Sequence, residues 1–301
     1  MSRRTAAALM ITRGEGRDLE VFLAQRAPEL RFFGGYWAMP GGTLATEDLG
    51  DQPDDEDAGL QVCANRELFE ELGLIRHSLP TTESTADALR EQRRALLAHE
   101  ADERRDKPPS PWADIVRGAT APAPLRALCR IETPAFAPVR YDTVFFHVPL
   151  ADCTAGTKAE GAHRQPDVWP GELVRGRFWT ARDALAAWRK DELLLVPPVV
   201  ILLEHLAAAS DIDDFASAID ATATGYRNGR LHKVRFSPGV VLAPLRTPTL
   251  PPATTTNCYI VGHQRLWIVD PGSPDPGEQQ RLLDLLDELT ADGAVLEGVL
   301  L

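Results

Sequence analysis

A chain of 301 residues with 44% hydrophobic side chains is long enough for about two domains with buried cores. Its 32 basic against 44 acidic side chains leave a net charge of -12, which argues against sequence-independent binding to nucleic acid. No apolar run reaches 18 residues and no secretory leader opens the sequence, so a soluble cytoplasmic protein without membrane partners is expected. Cys63, Cys129, Cys153 and Cys258 have no C-x-x-C spacing, which favours buried free thiols over a zinc knuckle or disulfide framework.

In chain order, residues 5–12 (TAAALMIT) and 19–25 (LEVFLAQ) read as strands joined by a turn at 14–17. A loop rich in glycine and aromatics, 26–35, leads through Trp37-Ala38-Met39 to Pro40-Gly41-Gly42, where backbone without side chains can approach a metal or phosphate. A helix is predicted over 56–72, with Leu60, Cys63, Leu68 and Leu72 on a buried stripe that Val62 widens, and Gly73 supplies its left-handed stop. Residues 86–105 form a heavily charged helix with a narrow stripe of Leu89, Leu96 and Leu97, ended by Lys107-Pro108-Pro109. After a short helix near 112–116 come strands at 127–133, 143–148 and 172–179, then helices at 181–188 and 193–209.

The acidic, alanine-rich stretch from 211 gives way to a basic one (Arg227, Arg230, Lys233, Arg235), and 211–238 reads as a linker. Strands follow at 239–245, 257–261, 265–269 and 295–301, with a helix at 276–289 between the last two. The apolar faces and edges of this final segment are expected to be exposed.

The chemistry concentrates at 66–74, Arg-Glu-Leu-Phe-Glu-Glu-Leu-Gly-Leu. Glu67, Glu70 and Glu71 stand at i, i+3 and i+4 of the predicted helix and so share one face. Three like charges there repel unless a cation sits among them, and a hard divalent ion such as Mg²⁺ or Mn²⁺ suits oxygen donors best. Arg66 can reach Glu70 one turn on and hold part of that charge. A solvated helix face is the plain alternative for such a run of acids.

Together with Pro40-Gly41-Gly42, this stretch resembles the signature of the Nudix hydrolases: a glycine, a glutamate six residues later, then R-E-U-x-E-E-x-G-U, where U is aliphatic. The second half matches at every defined position. The first half departs: Asp48 stands where the pattern has glutamate, and Gly42 to Arg66 is 24 residues where the family has about 14, so an acidic loop near 48–57 looks inserted and is expected to bulge outward. A second insertion, helical, spans about 84–124. The resemblance implies an α/β/α sandwich with a mixed sheet over 1–210, and hydrolysis of a nucleoside diphosphate joined to another moiety. It implies that Glu70 and Glu71 hold Mg²⁺ or Mn²⁺, that Glu67 is a ligand or the base, that Arg66 orients the acids, and that a Gly41 or Gly42 carbonyl adds a ligand. A later acid often completes such sites, and Glu160, Asp167 and Glu172 are candidates.

The spacing Arg31-x3-Gly35-x3-Met39-Pro40-Gly41-Gly42 resembles the coenzyme A recognition element of the coenzyme A diphosphatase branch, with Met39 in place of phenylalanine and an upstream element reduced to Arg26-Ala27-Pro28. It implies substrate binding by Arg26, Arg31 and Gly35. The segment 239–301, with N-C-Y-I-V followed by I-V-D-P-G, resembles the opening of the metallo-β-lactamase fold without its H-x-H-x-D-H motif. A nucleotide-sensing module without catalysis, or a metallo-β-lactamase-fold hydrolase in a longer gene product, are the rival functions.

Overall fold

The computed structural model describes residues 3–51, 53–79, 86–102, 108–134, 136–137, 139–155, 165–251 and 253–301. The chain divides into two compact units, one of residues 4–130 and 142–180, the other of residues 1–3, 131–141 and 181–301.

The first unit is built on strands β1 (Arg4–Arg13), β2 (Glu20–Arg26), β3 (Trp37–Ala38) and β4 (Gly41–Thr43), helix α1 (Glu56–Leu72) and strand β5 (Leu74–Ile75). Helices α2 (Ala86–Glu100) and α3 (Trp112–Ile115) follow, then strands β6 (Arg126–Glu132), β7 (Tyr141–Pro149), β8 (Thr154–Ala155) and β9 (Leu173–Thr180). The main sheet runs β3-β2-β1-β7-β6, with β4 paired to β1 and β9 paired to β2, while β5 and β8 form a small second sheet.

Helix α1 forms where the sequence places it because both ends are satisfied locally. Asp55 accepts a hydrogen bond from the Ala58 amide at 2.9 Å, acids occupy the first turn, and Gly73 closes the helix at φ 62°. One face carries Leu60, Cys63, Ala64, Leu68 and Leu72 onto Ala7, Leu9 and Ile11 of β1 and Val144, Phe146 and Val148 of β7. Fully burying side chains of this size contributes about 1.5–3 kcal/mol each. A second face presents Phe69 to Leu89 and Leu96 of α2 and to Trp112 and Ile115 of α3. The inserted helices therefore bury α1 from the side away from the sheet.

The second unit contains α4 (Ala181–Arg189), α5 (Pro197–Ala208), α6 (Ile212–Arg227), β10 (Val234–Ser237), β11 (Val240–Arg246), β12 (Thr255–Gly262), β13 (Arg265–Val269), α7 (Pro276–Thr290) and β14 (Val295–Leu300). Its sheet runs β10-β11-β12-β13-β14, antiparallel except for the last pair. Leu282, Leu285 and Leu286 of α7 cover Ala243, Leu245, Cys258, Ile260, Leu266 and Ile268. The alternating residues Tyr259, Val261 and Trp267, and Val295, Leu296, Val299 and Leu300 of β14, are exposed.

Several boundaries differ from the sequence reading. Residues 181–210 cluster with the C-terminal unit, and the stretch read as a linker at 211–238 contains α6 and β10. Asp211 caps α6 through the Asp213 and Asp214 amides, and Phe215, Ile219 and Ala223 form a regular buried stripe. The acidic, alanine-rich composition masked that stripe. The basic run that follows is paired internally, Arg230 and Lys233 with Glu288, and Arg235 with Glu204. Helix α5 begins at Pro197 rather than 193, since proline fits the first helical turn where no amide partner is needed. All four cysteines are buried free thiols, and among the described residues no helix is long and apolar enough to cross a membrane.

Candidate active site

The last two turns of α1 gather the acids around Arg66, whose side chain is 4% exposed. Its Nε and Nη2 donate to both oxygens of Asp48 at 2.9 and 3.0 Å, while Nη1 donates to Glu67 Oε1 at 2.9 Å and Glu70 Oε2 at 3.1 Å. One planar fork thus holds three carboxylates, a geometry that lysine cannot reproduce. Burial opposes the Arg66 charge, but Glu67 and Asp48 outweigh it and hold the guanidinium protonated. The outward bulge expected at 48–57 begins only after Asp48: this side chain is buried, fixed by the Ala45 amide at 2.9 Å, and residues 53–58 are exposed. The reason is electrostatic, because a buried arginine needs a charged partner on the side that Glu67 and Glu70 leave open.

One cation among these acids is too little. Burial pushes Glu67 up to about 7, with Arg66 pulling it down and Glu100 raising it further. Burial and then the Glu67 charge lift Glu70 to about 9, and the same two causes raise Glu71. Glu71 is tied instead to the glycine turn, accepting from the Gly41 amide at 2.7 Å. Gly41 and Gly42 pair with Ala8 and Ala7 of β1, and a Cβ on Gly42 would fall 2.0 Å from Glu67 Oε1. The bare glycine therefore makes the room that the Glu67 carboxylate occupies.

Among the described residues, no three acidic, histidine or cysteine side chains are arranged as a ready coordination cage. In Glu67, Glu70 and Glu71 one oxygen is engaged by Arg66 or the Gly41 amide. The remaining oxygens are hard donors short of positive charge, and that donor chemistry fits Mg²⁺ or Mn²⁺.

The other sequence candidates separate. Arg26 braces its own loop, its Nε donating to Phe32 O at 3.3 Å and its backbone oxygen accepting from the Gly35 amide at 3.1 Å. The Gly35 oxygen accepts from Gln25 Nε2, and Arg31 on the same loop is exposed. Asp167 accepts from Trp169 Nε1 at 2.8 Å and lies beside Arg93. Glu172 raises the pKa of Glu71 through its charge, and Glu160 lies outside the described residues. Two residues that the sequence did not single out also meet the site, both from α2. Glu100 stands 3.9 Å from Arg66, and Arg93 is fully buried against the end of α1. No sequence signal pointed to them.

A family model described as the NUDIX domain matches residues 1–112, the segment that holds the glycine turn, Asp48 and all of α1. Residues 1–112 match the Nudix domain. A NUDIX hydrolase from Alicyclobacillus acidocaldarius is similar at 26% identity and TM-score 0.53, covering 72% of this chain and 96% of its own. The MutT NUDIX hydrolase from Burkholderia pseudomallei is 16% identical with TM-score 0.36, covering 68% of this chain and 98% of that one. The NUDIX domain of Shewanella oneidensis NrtR, solved with ADP ribose, is 13% identical with TM-score 0.37, covering 68% and 86% respectively. These last two are too loosely superposed to bear on chemistry. No curated protein matches. The Nudix match supports a hydrolase acting on pyrophosphate bonds.

Proposed function

We propose that the Nudix domain is a divalent-metal-dependent pyrophosphohydrolase whose working acids are those of α1, and that coenzyme A or an acyl-coenzyme A is its substrate. The observation that carries the first part is the convergence of Glu67 and Glu70 on the Arg66 fork, with Glu71 anchored to the Gly41 amide. A binding-only domain has no use for two buried carboxylates and a half-buried third, all held above their ordinary pKa. Glu70 and Glu71 would hold the cation, with a Gly41 or Gly42 carbonyl beside them. Bound there, Mg²⁺ or Mn²⁺ supplies positive charge against the diphosphate and the departing oxygen. Arg66, locked by Asp48, fixes the directions of Glu67 and Glu70. Glu67 takes a proton from the attacking water, whose oxygen bonds to phosphorus as the bridging P–O bond breaks, leaving two phosphate monoesters.

The coenzyme A reading rests on Arg31, exposed on a loop braced by Arg26 and Gly35 just before the glycine turn, where its fork can grip a phosphate. Of the later acids, Glu172 adds a further negative charge beside Glu71, which deepens the cluster's need for a cation. In the second unit, the β12–β13 hairpin, α7 and parallel β14 support reading 239–301 as the opening of a metallo-β-lactamase-like domain, and no reaction is assigned to it.

The test is a panel of coenzyme A, NADH, ADP-ribose, nucleotide sugars and diadenosine polyphosphates compared by kcat/KM. Coenzyme A should lead, and Arg31→Ala should lower its kcat/KM. A preference for ADP-ribose or NADH of about tenfold, about 1.4 kcal/mol at the transition state, ends the coenzyme A assignment and leaves the pyrophosphohydrolase standing.

A further inference from the structure

A helix end leaves four backbone carbonyls without partners inside the helix, and a buried end must find them elsewhere. In α1 all four are matched. The Gly73 amide donates to Phe69 O at 2.8 Å and the Asp167 amide to Leu72 O at 2.9 Å. Between them, Arg93 Nε donates to Glu70 O at 2.8 Å and Arg93 Nη2 to Glu71 O at 2.7 Å. The two carbonyls that Arg93 grips belong to the very residues whose carboxylates line the site.

Arg93 comes from α2, in the middle of the inserted segment, and its side chain is wholly buried. Its Nη2 also donates to Asp167 O at 2.8 Å, its guanidinium lies 4.2 Å over the Trp169 ring, and Nη1 faces Asp167 Oδ2 at 3.6 Å. Burial pulls its pKa down to about 10, so the group is a cation at neutral pH. A cation at a helix C-terminus meets the negative end of the dipole as well as the carbonyls themselves. Placing a charge at zero exposure is costly, and surface burial alone would be served as well by leucine.

From this we infer that Arg93 is a positioning residue: the inserted helix α2 uses it to cap the catalytic helix and to hold the last turn of α1, with Glu70 and Glu71, in register with the glycine turn. The inference rests on the reading of those acids as catalytic. The insertion is then part of the active-site scaffold. Arg93 acts through α1 and does not touch substrate.

The experiment uses the full chain with Arg93→Lys, which keeps a cation and loses the fork, and Arg93→Met, which keeps length and loses the charge. Backbone amide exchange and steady-state kinetics are read together, on the panel substrate that the wild type turns over fastest. Amides of residues 70–73 should exchange about tenfold faster or more in both variants, while those of 60–64 keep wild-type rates. The kcat should fall about 10- to 100-fold with KM within about threefold, the lysine variant recovering part of the methionine variant's loss. Should Arg93→Met fail to fold, Arg93→Lys alone decides. Faster exchange with unchanged kcat makes the cap structural only and overturns the inference, as does a loss of kcat without any change in exchange. Glu70→Gln runs in parallel: if it keeps full turnover, the catalytic reading itself has failed, and the exchange data still judge whether Arg93 holds the helix end.

Discussion

Replacing Gly42 with alanine should separate activity from stability. Gly42 sits in the β4 ladder opposite Ala7, and its added Cβ would lie 2.0 Å from Glu67 Oε1 and 2.5 Å from the carboxyl carbon. Restoring an ordinary contact of about 3.4 Å moves the carboxylate by about 1.4 Å, while the nearest atoms belong to a side chain that can swing without disturbing the backbone. Stability should therefore change by no more than about 1 kcal/mol. A misplacement of about 1 Å at a reacting group is worth about 10² in rate, so kcat should fall about 100-fold. Gly41→Ala is the control with the opposite profile. Gly41 has φ 143°, and its Cβ would meet Ala7 O at 2.2 Å, so both the conformation and the backbone oppose it. A loss of more than about 2 kcal/mol is expected there. Urea denaturation followed by fluorescence, with kcat on the best panel substrate, reads both. Wild-type turnover in Gly42→Ala, or equal destabilisation by the two substitutions, would refute the placement of Glu67 against the glycine turn.

Two further outcomes follow from the charge arrangement. Asp48→Asn leaves Arg66 with Glu67 and Glu70 but without its bidentate partner, which should cost about 1–3 kcal/mol and about tenfold in kcat; a thermal melt identical to wild type would count against the Asp48 lock. In the second unit, burial and then Arg281 hold His232 down to about 4, stacked on Tyr226 with ring centroids 4.4 Å apart. Its folded pKa lies below the unfolded value near 6.5, so protonation favours the unfolded chain and stability is lost as pH falls from about 6.5 to about 4, by about 3 kcal/mol in all. Between pH 7 and 4 His232→Phe should lose about that much less than wild type in urea melts, and parallel losses would remove His232 from the acid sensitivity.

Helix α1 was legible in the sequence because its signals are local: the stripe from Leu60 to Leu72 and Gly73 at the stop. The acid face was legible for the same reason, since i, i+3 and i+4 spacing decides which side chains share a surface. Asp48 was half-legible, placed by its distance from Gly42, while its burial depends on the fold of a loop whose composition points outward. Arg93 and Glu100 were hidden because nothing in a charged helix says which of its residues will turn toward a neighbour distant in sequence. Helix α6 was missed for a compositional reason, its buried Phe215, Ile219 and Ala223 being outnumbered by acids and alanines.

The most direct test of the central claim is turnover by Glu70→Gln and Glu71→Gln, each checked for folding by circular dichroism, with and without Mg²⁺ or Mn²⁺ after EDTA treatment. Glutamine preserves size and removes the charge, so both proteins should fold, and kcat should drop about 10²-fold or more in each. Wild-type turnover should vanish in EDTA and return with either ion. Undiminished turnover in both glutamine variants, or in EDTA, would contradict catalysis by the acids of α1.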